Sequence, residues 1–417
     1  MNEEIKKRID LVKRKILPNN YKKSSLGIIP DDWKENTLNN IGVFSKGKGI
    51  PGYEMKSEGN PCIGYGDIYT KYSYICDKTI NYINDDIAKN SKKIEKGTLL
   101  FTGSGETAEE IGKCICYDGN EDAYAGGDII VYNTSKVNEK FIAFQNGTEE
   151  IIKIKAKLAQ GHSVVHIYEE NLKTIPIVYP SKKEEQEKIS EILEKWCQLI
   201  KLQKNIIEKI EEQKKYVFDK ILQPKDNWKE IPLEEILNER KEYAKKNDIY
   251  KHVTLSIDGI YEKSEKFNRD FLVKNKEKNY KITHKNDLCY NPANLKFGVI
   301  CLNRYGDAIF SPIYVTFEIG KEYNPDIIEA ILTSSRFLNR IRKYEEGSIF
   351  ERQAVKPNDF IKGKIKLPVD EEELKKIVKT INLYNEEIKM QKEKLKLIEN
   401  QQKTIIKLLT FGIVRVV

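Results

Sequence analysis

The sequence predicts an α+β fold: two similar mixed α/β domains joined by two long antiparallel coiled-coil helices, related by a pseudo-two-fold axis. Three observations predict it. A long helical segment occurs twice in one register, at about Lys182–Leu222 and about Asp370–Thr410. The stretches before the two copies open alike. Within both stretches, short β-type runs are broken by Gly, Asn and Asp, the pattern of a mixed α+β domain with a curved or barrel-like sheet.

Taken in chain order, residues 1–20 contain a short amphipathic helix over Glu3–Leu17, with Leu11, Val12 and Ile16 on its apolar side and Pro18 ending it. Residues 21–180 form the first globular domain. It opens with Pro30-x-x-Trp33-Lys34-Glu35-x-x-Leu38-x-x-Ile41 and continues through β-type runs at Gly97–Thr102 and Asp128–Tyr132.

Residues 181–223 are the central helix. Shifting it by 188 positions lays Ile189, Leu193, Trp196, Ile200, Ile207 and Ile210 over Ile377, Ile381, Tyr384, Ile388, Leu395 and Ile398. The apolar positions advance by four and then three, a heptad seam rather than the broader stripe of a surface helix. Neither copy contains Gly or Pro. Ser181 followed by Glu184 has the spacing of a capping box, and Pro224 stops the helix. A polar residue stands at the matched midpoint of each seam, Gln203 and Gln391. Polar seam residues cost stability but set register, which suits two helices crossing in opposite senses. About 33 residues of seam at ~1.5 Å each make a spacer on the order of 50 Å. Seams that only pack across their own domain, or that pair two copies of the chain, are the alternatives.

Residues 224–368 repeat the globular pattern. Trp228-Lys229-Glu230-x-x-Leu233-x-x-Ile236 answers the first opening, Asn286–Asn291 answers Gly97–Thr102, and Ile313–Phe317 answers Asp128–Tyr132. A short helix is expected around Ile327–Glu345. Residues 369–417 are the C-terminal helix, with Gly412 at its end.

The chain has 417 residues, 39% hydrophobic and 33% charged, enough for two folded domains plus connecting elements. It has no apolar run of membrane-spanning length, and its start is too charged for a signal peptide, so a cytoplasmic protein is expected. Seven scattered cysteines give neither a disulfide framework nor a zinc spacing. The net charge of +8 permits nucleic-acid binding without demanding it. No arginine occurs between Tyr21 and Pro180, whereas Arg269, Arg304, Arg336, Arg340, Arg342 and Arg352 fall in the second domain. The two domains therefore differ in surface chemistry.

Candidate contact loops mix glycine, aromatics and lysine. In the first domain they are Ser45–Gly49, Gly64–Tyr72 and Phe101–Gly105; in the second, Ser256–Lys263, Asn303–Gly306 and Gly347–Gln353. Such loops can present hydrogen-bonding tips to base edges and amides or lysines to phosphates, although each taken alone reads first as an ordinary surface turn. No catalytic constellation emerges. His162 and His166 are four apart without the glutamate of a zinc-protease helix, and His252 and His284 have no evident partners. Gly47-Lys48-Gly49 has the wrong spacing for a phosphate loop. Asn291-Pro292-Ala293-Asn294 lacks the second proline and the aromatic of an amino-methyltransferase motif.

With the repeat, the seams and the loop types together, the chain resembles the DNA-specificity subunit of Type I restriction–modification systems over essentially its whole length. The most specific local signal is Leu172–Pro180 followed by Glu184-Glu185-Gln186-x-x-Ile189. In the second half it reads Ile365–Pro368 and then Glu371-Glu372-Glu373, with Glu373 in place of the usual Gln and Lys225 where the first opening has Pro30.

The resemblance implies two target recognition domains, residues 21–180 and 224–368, each reading one half of a bipartite DNA target. The two helices would set the gap and dock two methyltransferase subunits. Endonuclease/translocase subunits would complete a prokaryotic restriction system. The partners would use S-adenosylmethionine, ATP and Mg, while this chain would bind no cofactor or metal and catalyse nothing. The expected DNA contacts are Lys46, Lys48, Tyr65, Lys71 and Ser104 in the first domain. In the second they are Ser256, Lys263, Arg304, Tyr305, Arg352 and Gln353. Two rivals are a coiled-coil scaffold without DNA function and a self-contained DNA nuclease or modification enzyme.

Overall fold

The computed structural model describes residues 3–161, 164–245, 249–257, 259–262, 279–344 and 354–416. The chain packs as two compact units, Met1–Lys204 with Lys394–Val417, and Asn205–Glu393. Each unit thus combines one globular domain with part of both long helices.

The first unit holds a five-stranded sheet ordered Val43–Lys46, Ile129–Asn133, Leu99–Thr102, Cys114–Tyr117 and Ile75–Cys76. A four-stranded sheet follows the order Asn81–Ile83, Asn60–Ile63, Ala123–Ala125 and Lys92–Ile94, with its two middle strands parallel. The opening strand Trp33–Thr37 pairs antiparallel with the closing strand Pro176–Pro180. Leu99 to Phe101 and Ile129 to Tyr132 are buried in unbroken runs, because these central strands are covered on both faces.

The second unit repeats the central part of this plan, without a counterpart for the edge strand Ile75–Cys76 and with Tyr243–Lys245 added to the other sheet. One sheet runs Leu237–Glu239, Val315–Ile319, Leu288–Tyr290 and Ile300–Leu302. The other runs Gly259–Glu262, Lys251–Ser256, Ala308–Phe310, Asn279–Thr283 and Tyr243–Lys245, again with a parallel pair, Lys251–Ser256 beside Ala308–Phe310. Here too the opening strand, Lys229–Pro232, pairs with the closing strand, Lys364–Leu367. Even the register is kept: Leu99 faces Tyr132 in the first unit and Leu288 faces Phe317 in the second. A one-residue slip in either pair would turn every side chain to the wrong face, so the shared register is a strong mark of a duplicated fold.

The long helices span Lys183–Ile221 and Glu371–Thr410. In the first unit Lys204 pairs with Glu399 at 3.5 Å and Cys197 Sγ accepts from Gln402 at 3.2 Å, so one helix runs up as the other runs down. In the second unit Glu211 meets Lys392 at 2.7 Å, Lys214 donates to Asn385 at 2.8 Å, and the Phe218 and Tyr384 rings lie 6.1 Å apart. The pairing is antiparallel in both units. Ile189, Leu193, Ile200, Gln203, Ile207, Ile377, Ile381, Ile388 and Ile398 are buried; Trp196, Ile210, Tyr384, Gln391 and Leu395 are half-buried. Near the C-terminus Ile406 is buried, and Gln402 is buried beside it.

The end of the C-terminal helix docks in the first unit's core. Ile406, Leu409, Phe411 and Ile413 pack in one cluster with Ile29, Trp33, Phe141 and Leu193. Full burial of each such side chain is worth about 1.5–3 kcal/mol. Gly412 turns the chain there at φ +65°, and an added Cβ would stand 2.6 Å from the Pro30 ring and 3.0 Å from Trp33. The central helix ends in the same way against the second unit's core, through Leu222 beside Trp228 and Ile231.

Three local expectations change. The N-terminal helix spans Glu3–Lys13, leaving Ile16 and Leu17 exposed, and packs through Ile9 and Val12. Ser181 does not cap the central helix, because its hydroxyl donates to the Asp32 carbonyl at 2.5 Å. The second helix is capped by Asp370, which accepts the Glu373 N–H at 2.8 Å. In the helix register Glu373 is the counterpart of Glu185, and Leu374 stands where the first copy has Gln186. Both glutamates pair with a cation, Glu185 with Arg415 and Glu373 with Lys225.

Candidate nucleic-acid interface

Three loops of the first unit meet at one end of its sheets. The segment after Val43–Lys46 is pinned by the Gly47 N–H to the Ile129 carbonyl at 2.8 Å and the Lys48 N–H to the Ala125 carbonyl at 3.1 Å. The Gly126 N–H donates to the Ile63 carbonyl at 3.0 Å, which brings the turn 126–128 against the chain entering Gly64. Gly47 is required by this crossing, since a Cβ there would fall 2.0 Å from the Gly126 carbonyl oxygen.

Together the loops line an open cleft of about 450 Å³, walled by Gly49, Gly52, Gly64, Gly66, Gly126 and Gly127. A Cβ at Gly66 or Gly127 would meet nothing within 4 Å, and neither position needs a positive φ. The fold therefore does not demand glycine at either, whereas close approach of a ligand to the backbone would.

Lys46 and Lys48 are exposed on the segment leading into this cleft, and Tyr65 is 46% exposed in its wall. Tyr65 begins a helix, Tyr65–Thr70, where a loop was expected; Lys71 is exposed at its C-terminal end. The helix is held by Asp67, which accepts the Gly64 N–H and both bonds from the Asn81 amide, all at 2.9 Å. Tyr53, 85% exposed beside the cleft, and the turn Gly126-Gly127-Asp128 were not singled out by sequence. The glycine pair next to an aspartate was the signal available. Ser104 points the other way: it is buried, and its hydroxyl is hydrogen-bonded to His166 Nδ1 at 3.0 Å.

In the second unit the equivalent loops carry a different chemistry. Ser256 closes its strand, with its hydroxyl donating to the Gly259 carbonyl at 3.4 Å. Ile257 directly follows that strand, the place that Gly64 holds in the first unit, and Ile313, past the strand parallel to it, stands where the first unit has Asp128. Both isoleucines are exposed, at 64% and 60%, as is Phe297 at 63%. Phe297 ends a short 3-10 helix, Pro292–Phe297, in which Asn291 Oδ1 accepts the Ala293 N–H at 3.1 Å. The Asn-Pro-Ala-Asn element is thus a capped turn.

Arg304 is engaged by Asp326 at 2.5 Å and Glu329 at 2.8 Å, and Tyr305 donates to Glu262 at 3.4 Å. Lys263, Arg352 and Gln353 lie outside the described residues, as does His162. Arg240, which sequence reading passed over, binds Asp287 through two bonds at 2.9 and 3.1 Å and Glu242 at 2.7 Å. His284 sits between Asp307 at 2.9 Å and Glu242 at 3.2 Å. Burial works against its charge, but those two carboxylates outweigh burial and raise its pKa.

Among the described residues no group of three or more His, Cys, Asp or Glu is arranged to hold a metal. Burial pushes the Cys62, Cys76 and Cys114 thiols up to about 12, the opposite of nucleophile activation. Among the described residues no helix is long and apolar enough to cross a membrane.

Residues 30–212 match the family described as the Type I restriction modification DNA specificity domain. No curated protein matches the sequence. The chain is similar to the S subunit of a Type-I restriction-modification system from M. genitalium at 15% identity, over 94% of this chain and 97% of that one, with a TM-score of 0.49. A second solved structure, of complex assembly and conformational transition in a type I R-M system, is 11% identical over 93% of this chain and 99% of that one, with a TM-score of 0.53. The HsdS subunit from Thermoanaerobacter tengcongensis is 12% identical over 93% and 98%, with a TM-score of 0.37.

Proposed function

We propose that this chain, whose residues 30–212 match the Type I restriction modification DNA specificity domain, is the non-catalytic DNA-reading subunit of a Type I restriction–modification complex. One observation carries the reading furthest. The second unit shares the central strand order and register of the first, which supports a second domain of the kind matched at residues 30–212.

Each unit then reads one half of a two-part DNA target. The long helices fix the gap between the halves and dock methyltransferase subunits. Lysines such as Lys46, Lys48 and Lys71 meet phosphates and supply sequence-independent affinity. Loop tips supply discrimination, each good bidentate base contact being worth about 1–3 kcal/mol. Because both halves have to be satisfied together, their specificities multiply. The unlike loops of the two units fit an asymmetric target.

The methyltransferase subunits would bring S-adenosylmethionine, and endonuclease/translocase subunits would bring ATP and Mg. The complex would work in the cytoplasm. Methylation mapping of DNA from cells expressing this chain with its methyltransferase subunit tests the reading. Modified adenines in one two-part, gapped motif are expected. A contiguous motif, or no motif, would refute it.

A further inference from the structure

We infer that Asp128 is a base-reading residue of the first unit, accepting a hydrogen bond from the N4 amino group of a cytosine in one half-site; this rests on the DNA-reading function proposed above. Asp128 lines the glycine-walled cleft. Its backbone is fixed, because its carbonyl accepts the Gly103 N–H at 2.8 Å and the preceding turn is closed by the Ile129 N–H on the Gly126 carbonyl. Its side chain is exposed and makes no hydrogen bond or ion pair among the described residues.

The cleft's other carboxylate behaves differently. Asp67 spends both oxygens on Asn81 and on the Gly64 N–H, so it serves the fold. Asp128 is the acceptor left over for a ligand.

A carboxylate on a phosphate-facing surface is repelled by the DNA backbone, and nothing in the fold offsets that cost at Asp128. It is offset where a donor faces the carboxylate. On the base edges of the major groove the donors are amino groups, and an acidic side chain pairs with the N4 amino group of cytosine. The side chain is short, so it reaches a base only if the backbone comes close. Gly126 and Gly127 immediately before it, and Gly66 in the same cleft, leave that approach open, with nothing within 4 Å of a Cβ at Gly66 or Gly127.

Asp128→Asn and Asp128→Ala, each expressed with the methyltransferase subunit, test the inference. Methylation mapping should show one position of one half-site relaxing from cytosine, with the other half-site and the gap unchanged. Binding to the mapped duplex and to the same duplex changed at that base pair should show discrimination falling by roughly 5- to 150-fold. Binding to unrelated DNA should tighten, since a negative charge has gone from the interface.

A variant motif identical to that of the native chain overturns the inference and leaves the DNA-reading function standing. So does a variant that loses methylation while keeping full discrimination in binding, which would make Asp128 a contact for the methyltransferase. A native chain without a two-part motif overturns both.

Discussion

Arg415 grips Asp32 with two parallel bonds, Nη1 to Oδ1 and Nη2 to Oδ2, both at 2.9 Å, across 383 positions of chain. The same guanidinium reaches Glu185 at 2.6 and 2.9 Å. The domain opening, the start of the central helix and the C-terminus therefore close on one cation. Tyr21 adds a bond to the Gly412 carbonyl at 2.7 Å, and Arg8 one to the Ile413 carbonyl at 3.2 Å. In the second unit the counterpart of Glu185, Glu373, is met instead by Lys225 at 2.6 Å and the Trp228 indole N–H at 3.3 Å. The same carboxylate is kept and its partner is local.

Arg415→Ala should loosen the first unit by about 1.5–3 kcal/mol, the range for hydrogen bonds to charged groups, because Glu185 is left largely buried without its partner. Arg415→Lys should recover only part, since an ammonium cannot bridge two carboxylates with a planar fork. Hydrogen exchange is the suitable probe: Trp33–Thr37 and Pro176–Pro180 should exchange faster, with Lys229–Pro232 unchanged. Equal acceleration in both units would contradict a local clasp.

Replacing Lys46 and Lys48 by alanine should weaken binding to all duplexes alike. The slope of log affinity against log salt should fall by about 0.9 for each phosphate that is no longer neutralised. An unchanged slope would remove these two lysines from the interface. A change of motif would make them base readers.

Removing one heptad from each helix, Ile200–Ile206 together with Ile388–Lys394, takes out two turns, or ~10 Å of helix, and turns the remaining faces by only ~20°. The mapped motif should keep its two half-sites and lose base pairs from its gap. Altered half-sites with an unaltered gap would refute the spacer role.

His284 gives the second unit a pH dependence. Its pKa is raised, burial being outweighed by hydrogen bonds to Asp307 and Glu242. A base with a raised folded pKa adds stability that is complete below the ordinary value of 6.5 and is lost as pH climbs through the folded value. The stability gap between the native chain and His284→Ala should therefore be widest in mild acid and shrink above neutrality. A gap that widens as pH rises would reverse the assignment.

The sites were less legible than the fold. Lys46, Lys48 and Tyr65 stood out in sequence as basic and aromatic residues beside glycines, and the three-loop cleft joins their segments. Asp128 could not be read that way. Its prominence comes from what it lacks among the described residues, a partner, and only folding decides which carboxylates find one. Ser104 shows the converse: its loop looked like a surface turn, but the strand pairing with Val165–His166 turns the hydroxyl inward. Arg304 looked like a free cation until Asp326 and Glu329 reached it from a helix more than twenty residues on.

Local pattern alone was enough to place the two helices, to within a residue at each end, and to reveal the duplication of the domains. Heptad spacing and strand composition are local signals, and a repeat displays each of them twice. Local pattern could not show that the C-terminal residues complete the first unit, nor which polar groups are consumed by the fold. Those depend on contacts between segments hundreds of residues apart, whose energies are decided by burial and geometry that no short stretch of sequence encodes.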